Sequence, residues 1–349
     1  MGPMIDAYAA AGVDTAVADR GVRALVDVLR TIDTGRPSRI ALAAGHYAAV
    51  LEIAPGLGLA LCTDGVGSKL MLATALRRLD TIGIDCVAMN VNDLVCVGAE
   101  PVAMLDYIAV ERVDAAALEQ IALGLKRGAE LAGVEIPGGE LAVLPELLRG
   151  HPSPHGFELS GSAVGTVALE RLVTGELCAP GDALIGLPSS GLHSNGYTLA
   201  RSLADGRLDE RPPALDGATL GEALLAPTVI YVRAALALLR SPIPVHGLAH
   251  ITGDGVLNLK RLHPGAGFEI DAPLPVPGVC EWLCEAGAID TAHAYQVFNM
   301  GCGFVAVVPG DQAPAAVELL SEHHPGTRVI GRVTASAGAV TLPGLGISF

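Results

Sequence analysis

The chain lacks the features of several protein classes. Although 51% of its 349 residues are hydrophobic, no stretch reaches the roughly eighteen uncharged apolar residues of a membrane-spanning helix. The first residues lack the basic and apolar regions of a signal peptide. Basic residues are scarce: 22 lysines and arginines against 37 acidic residues give a net charge of −15. That charge argues against nucleic acid as a partner, but a small phosphorylated substrate could still be bound by loop amides and metal ions.

The cysteines predict a reducing compartment. Their number is odd, at seven, and Cys62, Cys86 and Cys96 stand in apolar runs, as buried thiols do. We therefore expect a soluble cytoplasmic protein with no membrane partner. The length favours two domains, each large enough to bury its own core.

The patterning predicts an α+β fold with mixed sheets and packed helices. In the first half we expect strands at 59–63, 103–109 and 157–167 and helices at 83–97 and 114–133, the latter capped by Asp114 and ended by Gly133. Turn residues then place a boundary near residue 170. Beyond it we expect strands at 183–187, 245–251, 303–308 and 328–333 and helices at 195–205, 226–240 and 311–320. Because strands and helices do not alternate strictly, two α+β domains are favoured, at 1–170 and 171–349.

A glycine-rich segment at 63–69 (TDGVGSK) follows the first strand. Gly65, Gly67 and Ser68 would let backbone amides approach a phosphate. Lys69 supplies a cation, and Asp64 is suited to a magnesium ion that bridges phosphate oxygens. The spacing is not that of a Walker loop, and an ordinary structural turn is the alternative.

Acidic and amide side chains also interrupt the apolar helix at 83–97. Asn92 and Asp93, together with Asp85 and Asn90, would destabilise a buried helix unless they are paired or bind a metal, and both readings stay open. Glu140 follows Gly138-Gly139. It is either a solvated carboxylate in a turn or the third member of an acidic set with Asp64 and Asp93. An oxygen-only set of this kind suits Mg²⁺.

The most informative loop is 189–196 (SSGLHSNG). Its hydroxyls and glycines, Ser190 and Gly191 among them, lead through Asn195 into a helix, an arrangement typical of an anion site. His193 lies within it and is suited to donate to a phosphate or to act as a base. The alternative is a capping loop with an incidental histidine. His246 and His250 flank an apolar strand and are expected in the core.

The order of these segments resembles the phosphoribosylformylglycinamidine cyclo-ligase, or AIR synthetase, family. The resemblance runs from 8–14 (YAAAGVD) through 63–69, 81–94, 98–101 (GAEP), 105–107 (LDY), 138–140, 189–196 and 250–255 to 298–301 (FNMG). It implies a ligase of purine synthesis that binds ATP and Mg²⁺ near the acidic strand ends and a small ribonucleotide in the cleft between domains. It also implies a homodimer whose amino-terminal sheets join. Asp64, Lys69 and His193 are the expected catalytic residues, with Gly139 among the nucleotide-binding ones.

The sequence departs from the family at several positions. Leu141 replaces a usual threonine, Val229 and Gln296 stand where basic residues are common, and Asp254 replaces a glycine. Residues 45–49 (GHYAA) differ from a segment rich in glycine and phenylalanine, and a basic residue of the first helix has no clear match. These departures leave two alternatives open: a related ATP-dependent kinase or synthetase with another substrate, and a dimeric nucleotide-binding protein without catalysis.

Overall fold

The computed structural model describes residues 15–349 and contains two sheets. The first has six strands in the order β1-β2-β3-β6-β4-β5. They are β1 (Ile40–Leu42), β2 (Ala49–Ala54), β3 (Leu57–Gly65), β4 (Glu100–Val110), β5 (Glu135–Val143) and β6 (Phe157–Ala168). Neighbours are antiparallel except β4 and β5, which are parallel.

Three helices lie on one face of this sheet: α2 (Lys69–Leu76), α3 (Ile82–Cys96) and α4 (Ala115–Ala132). The helix α1 (Thr15–Leu29) precedes the first strand. α3 is apolar on nearly every side and lies buried against β3 and β6. It packs closely on α4, since a Cβ at Gly83 would collide with the backbone of Gly124 and Leu125. Gly83 and Gly124 therefore allow the close approach of α3 and α4.

The second sheet has seven strands in the order β13-β12-β9-β11-β7-β10-β8. They are β7 (Ala183–Pro188), β8 (Gly247–His250), β9 (Gly267–Ile270), β10 (Cys302–Val308), β11 (Arg328–Thr334), β12 (Val340–Leu342) and β13 (Ile347–Ser348). The helices around it are α5 (Tyr197–Ala204), α6 (Leu220–Leu224), α7 (Val232–Arg240), α8 (Gly278–Ala286), α9 (Thr291–Val297) and α10 (Ala313–Ser321). β10 is buried along its whole length, as expected of a central strand.

The predicted α+β class with mixed sheets is confirmed. The capping of α4 is also as expected: Asp114 accepts hydrogen bonds from the amides of Ala116 and Ala117 at 3.0 and 3.2 Å, and Gly133 has φ 74°. The predicted helix at 226–240 is wrong in its first turn, because α7 begins only at Val232. Residues 226–231 instead direct backbone groups to side chains of α2 and α3.

Several other expectations can be placed in the structure. The division near residue 170 falls between β6, the last strand of the first sheet, and β7, the first of the second. The segment at 8–14 lies outside the described residues. The seven cysteines are free. Among the helices of residues 15–349, none has the length and apolar character needed to cross a bilayer.

Candidate active site

Two aspartates lie on one face of the first sheet, at the edge where β3 and β4 end. Asp64 of β3 and Asp106 of β4 both pair with Gly161 of β6, so their side chains project to the same face, toward α3. Asn90 of α3 donates to the Asp64 carbonyl at 3.2 Å. A Cβ at Gly139 of β5 would collide with the Asp106 carboxylate, so glycine is needed there. The sheet thus presents a small acidic recess beneath α3.

At the Asp64 carboxylate of this recess, burial outweighs the attraction of His250 and Arg261. Burial raises the pKa of Asp64, and the negative charge of Asp93 raises it further, while the Gly65 amide opposes the shift. Burial likewise raises the pKa of Asp106. Carboxyl groups held this way favour a bound cation, because it would lower the cost of keeping them ionised.

Asp93 is held by a buried histidine from the second sheet. Nδ1 of His250 lies 2.9 Å from the Asp93 carboxylate, and its Nε2 lies 3.4 Å from the Asn92 amide nitrogen. A neutral imidazole that carries its proton on Nδ1 satisfies both contacts. His250 is buried, as expected, yet its pairing with Asp93 was not anticipated, since the two residues lie 157 positions apart.

Asn92 has a structural position rather than the predicted nucleotide contact. Its side chain is fully buried, donates to the Val229 carbonyl at 2.9 Å and accepts from the Tyr231 amide at 2.9 Å. These bonds join α3 to the chain segment that precedes α7. In this conformation Asn92 has no polar group left to reach a ligand.

Lys69 differs most from its predicted role as a phosphate-binding cation. It is fully buried, and its ammonium donates to Asp85 at 3.0 Å and to the carbonyls of His193 and Ala226 at 3.0 and 2.7 Å. The other carboxylate oxygen of Asp85 lies 2.9 Å away. An ammonium has three N–H groups, and three acceptor groups already surround this one. Lys69 therefore links the domain that contains the first sheet to the domain that contains the second.

Asp85 completes that bridge. Its Oδ1 accepts from the backbone amide and the hydroxyl of Thr228, both at 2.7 Å, in addition to Lys69. Burial lowers the pKa of Lys69, and the attraction of Asp85 opposes that shift. Of the two readings left open for the polar residues of α3, pairing is the one observed for Asp85, Asn90 and Asn92.

The loop at 189–196 covers His193 instead of presenting it. His193 is buried at φ 61°, and its Nε2 accepts from the Ser190 amide at 3.3 Å. The ring packs on Gly303 and beside the ring of Tyr231, so His193 has a packing role. Burial holds the pKa of His193 well below its usual value, which keeps the imidazole neutral. Within residues 15–349 its Nδ1 is buried without a hydrogen-bond partner.

Four other predicted nucleotide-binding residues contact groups of the second domain. The hydroxyl of Ser68 lies 3.3 Å from that of Thr198, and Ser190 donates to the Pro227 carbonyl at 2.6 Å. Gly191 accepts from Asn299 at 2.7 Å. Asn195 lies beside Gly253, and its side-chain nitrogen is buried without a partner among the described residues. The loops at 63–69 and 189–196 are joined by the hydrogen bond from Lys69 to the His193 carbonyl.

Glu140 does not join Asp64 and Asp93 within one chain. Gly139 is the β5 residue that faces Asp106, so the next residue, Glu140, points to the opposite, exposed face of the sheet, with Tyr107. In the described part of the chain, no three His, Cys, Asp or Glu side chains form a group arranged to hold a metal ion. The predicted three-carboxylate set is thus divided between the two faces.

Comparison with known proteins assigns the chain to a family. Models of the N-terminal and C-terminal domains of AIR synthase related proteins match residues 45–167 and 179–342. A phosphoribosylformylglycinamidine cyclo-ligase of Thermococcus kodakarensis is 46% identical over 321 residues, 90% of this chain and 92% of that protein. Another, of Methanothermobacter thermautotrophicus, is 42% identical over 96% of both chains. The chain belongs to the AIR synthetase family.

Solved structures show the same fold at lower sequence identity. Thiamine monophosphate kinase of Aquifex aeolicus gives a TM-score of 0.60 at 18% identity, over 85% of this chain and 91% of that chain. The hydrogenase maturation protein HypE in complex with ATP gives 0.60 at 21% identity, over 84% of each chain. These likenesses confirm the two-domain AIR-synthetase-like fold.

Two departures from the AIR synthetase pattern meet at one arginine. Arg261 forms an ion pair with Asp254 at 3.1 Å, and its guanidinium lies 5.3 Å from the centre of the Tyr47 ring. The Tyr47 hydroxyl donates to the Asn258 carbonyl at 3.1 Å. The carboxylate of Asp254 thus balances the charge of Arg261. Asp254 and Tyr47, which both depart from the family pattern, contact the same guanidinium group.

Proposed function

We infer that this chain closes the imidazole ring of aminoimidazole ribonucleotide from formylglycinamidine ribonucleotide, with ATP converted to ADP and phosphate. The observation that carries the inference is the 46% identity to a cyclo-ligase over 90% of the chain. ATP transfers a phosphoryl group to the formyl oxygen, and an amidine nitrogen then attacks the formyl carbon. The C–O bond breaks and phosphate leaves with that oxygen. Its test is direct assay of aminoimidazole ribonucleotide formation.

Asp64 and Asp93 hold Mg²⁺ and the ATP phosphates in this proposal. Burial raises the pKa of Asp64 despite the opposing attraction of Arg261, which fits a site suited to a further cation. Carboxylate oxygens are the ligands Mg²⁺ prefers, and a bound ion would neutralise charge on the phosphates. His250 orients Asp93 through its Nδ1 contact. Gly65, Gly67 and Ser68, with Ser190, Gly191 and Asn195, would surround the phosphates.

We propose that Glu140 acts across a homodimer. Leu105 and Tyr107 leave 52% and 42% of their surface exposed on the outer sheet face that Glu140 shares. An apolar sheet face of this kind is suited to pack on a second copy. Glu140 would then lie in the interface, and its part in nucleotide binding would depend on the partner subunit.

Mixed dimers test this arrangement. Asp93→Asn and Glu140→Gln chains are each expected to be nearly inactive. If one site takes Asp93 from one subunit and Glu140 from the other, each mixed dimer holds one intact site. Random exchange of the two chains should then restore about a quarter of wild-type activity. No recovery after verified exchange would contradict a shared site, as would a Glu140→Gln enzyme with full activity.

We propose that His193 contacts the reacting groups with its imidazole in the neutral form. Burial lowers its pKa, which favours the neutral imidazole. Because Nε2 accepts from the Ser190 amide, the neutral ring carries its proton on Nδ1, and this N–H, which has no partner within residues 15–349, would donate a hydrogen bond to a reacting group. A cytoplasmic location remains part of the proposal, because seven free cysteines suit a reducing compartment.

A further inference from the structure

A cavity of about 440 Å³ lies in the first domain, away from the cleft. Its inner wall is apolar and comes from Leu79, from the ends of the sheet at Val110 and Phe157, and from Ile121 of α4. Pro152 and Pro154 also line the cavity. A cavity of this size and lining is in the range of small-molecule sites.

The mouth of the cavity carries unpaired positive charge. Arg77 and Arg112 both line it, and within residues 15–349 neither guanidinium has a hydrogen bond or an ion pair. His155 also lines it. The carboxylate there, Asp114, is engaged by the first amides of α4. In a protein of net charge −15, two free guanidinium groups at one apolar cavity mark a place suited to an anion.

The cavity is separate from the catalytic cleft. Arg77 follows the end of α2, whereas Lys69, which binds to the second domain, begins that helix. An eight-residue helix is about 12 Å long, so the two sites lie at opposite ends of α2. None of the residues assigned to ATP, magnesium or the ribonucleotide lines the cavity.

We propose that this cavity binds a small anion that joins a flat heteroaromatic ring to a phosphate, such as a mononucleotide. The ring would lie between the prolines and Phe157, whose flat apolar surfaces suit stacking. The phosphate would lie at the mouth, where each guanidinium offers two parallel N–H donors. The binding site is therefore a second nucleotide site, distinct from that of the ATP substrate.

The test is calorimetric titration of the purified chain with AMP in the absence of magnesium. Arg112→Gln should weaken AMP binding by at least about tenfold, because it removes a charge-assisted contact. Ala116→Trp, at the mouth, should block the cavity. Arg127→Gln removes the same charge from α4 outside the cavity and should bind AMP as the wild type does.

Three outcomes would overturn the proposal. AMP binding that disappears in Asp93→Asn but survives in Arg112→Gln would assign AMP to the catalytic cleft. Inorganic phosphate that binds as tightly as AMP would exclude a ring pocket. No heat of binding at millimolar AMP would exclude the site. Retention of binding in Asp93→Asn and Arg127→Gln, with its loss in Arg112→Gln and Ala116→Trp, is the result we expect.

Discussion

The ion pair of Lys69 and Asp85 should carry much of the stability of the contact between the two domains. Both side chains are fully buried, and Oδ1 of Asp85 accepts three hydrogen bonds, one from Lys69 and two from Thr228. In Asp85→Asn the charge of Lys69 would remain buried without a counter-ion. Removing one partner of a buried pair costs about 3–5 kcal/mol of unfolding free energy.

The effect is large enough to see in a melting curve. Each kcal/mol lowers Tm by about 2–4 °C for a domain of this size, so Asp85→Asn should lower Tm by about 6–20 °C. Asp80→Asn is the matched control, because its exposed contact with Arg78, at 3.9 Å, is worth about 0–1 kcal/mol. Differential scanning calorimetry of both variants beside the wild type gives the comparison.

Lys69→Met separates the structural role from the catalytic one predicted by the sequence. A bridging lysine should lose stability on substitution as Asp85 does, and the double variant should be less destabilised than the sum of the single ones. A Lys69→Met enzyme that melts within about 2 °C of the wild type, yet has lost turnover, would refute the bridging role and restore the phosphate contact.

Three further predictions concern the site itself. Asp93→Asn should abolish most turnover while the fold is kept, and retained activity with unchanged magnesium dependence would contradict its assignment. His193→Ala should lower turnover by about 10²–10⁴ and, given its packing on Gly303 and Tyr231, also lower Tm; activity within about threefold of wild type would leave it a structural residue. Asp106→Asn should raise Tm at pH 7, because the pKa of Asp106 is raised by burial in the folded chain and its ionised form therefore opposes folding. This gain in Tm should vanish below about pH 3.9, the pKa of an aspartate in the unfolded chain. A Tm of Asp106→Asn below that of the wild type at pH 7 would contradict the raised pKa of Asp106.

Local sequence patterns correctly predicted the helices and strands that are determined by neighbouring residues. The residues that cap helix α4 are both recognisable in the sequence. The strands β3 and β10 follow from apolar runs, and β6 follows from alternation of apolar and polar residues. The start of α7 could not be predicted in the same way. Residues 226–231 are non-helical because Lys69, Asp85 and Asn92, more than 130 positions earlier, bind their backbone groups.

The same distinction between local and long-range causes applies to the functional site. The motif order identified the correct family. It did not reveal that Lys69 is satisfied by a buried aspartate, that His250 holds Asp93, or that Glu140 lies on the other face of the sheet. Each of these depends on long-range packing or strand register, and a one-residue change of register moves a side chain from one face to the other.

The reaction itself is the most direct test of the account. Purified chain is incubated with formylglycinamidine ribonucleotide, ATP and magnesium, and aminoimidazole ribonucleotide and ADP are measured together. We expect equal amounts of both products, and neither above background with Asp93→Asn. ATP hydrolysis without aminoimidazole ribonucleotide, or ATP binding without any turnover on this substrate, would contradict the assigned function.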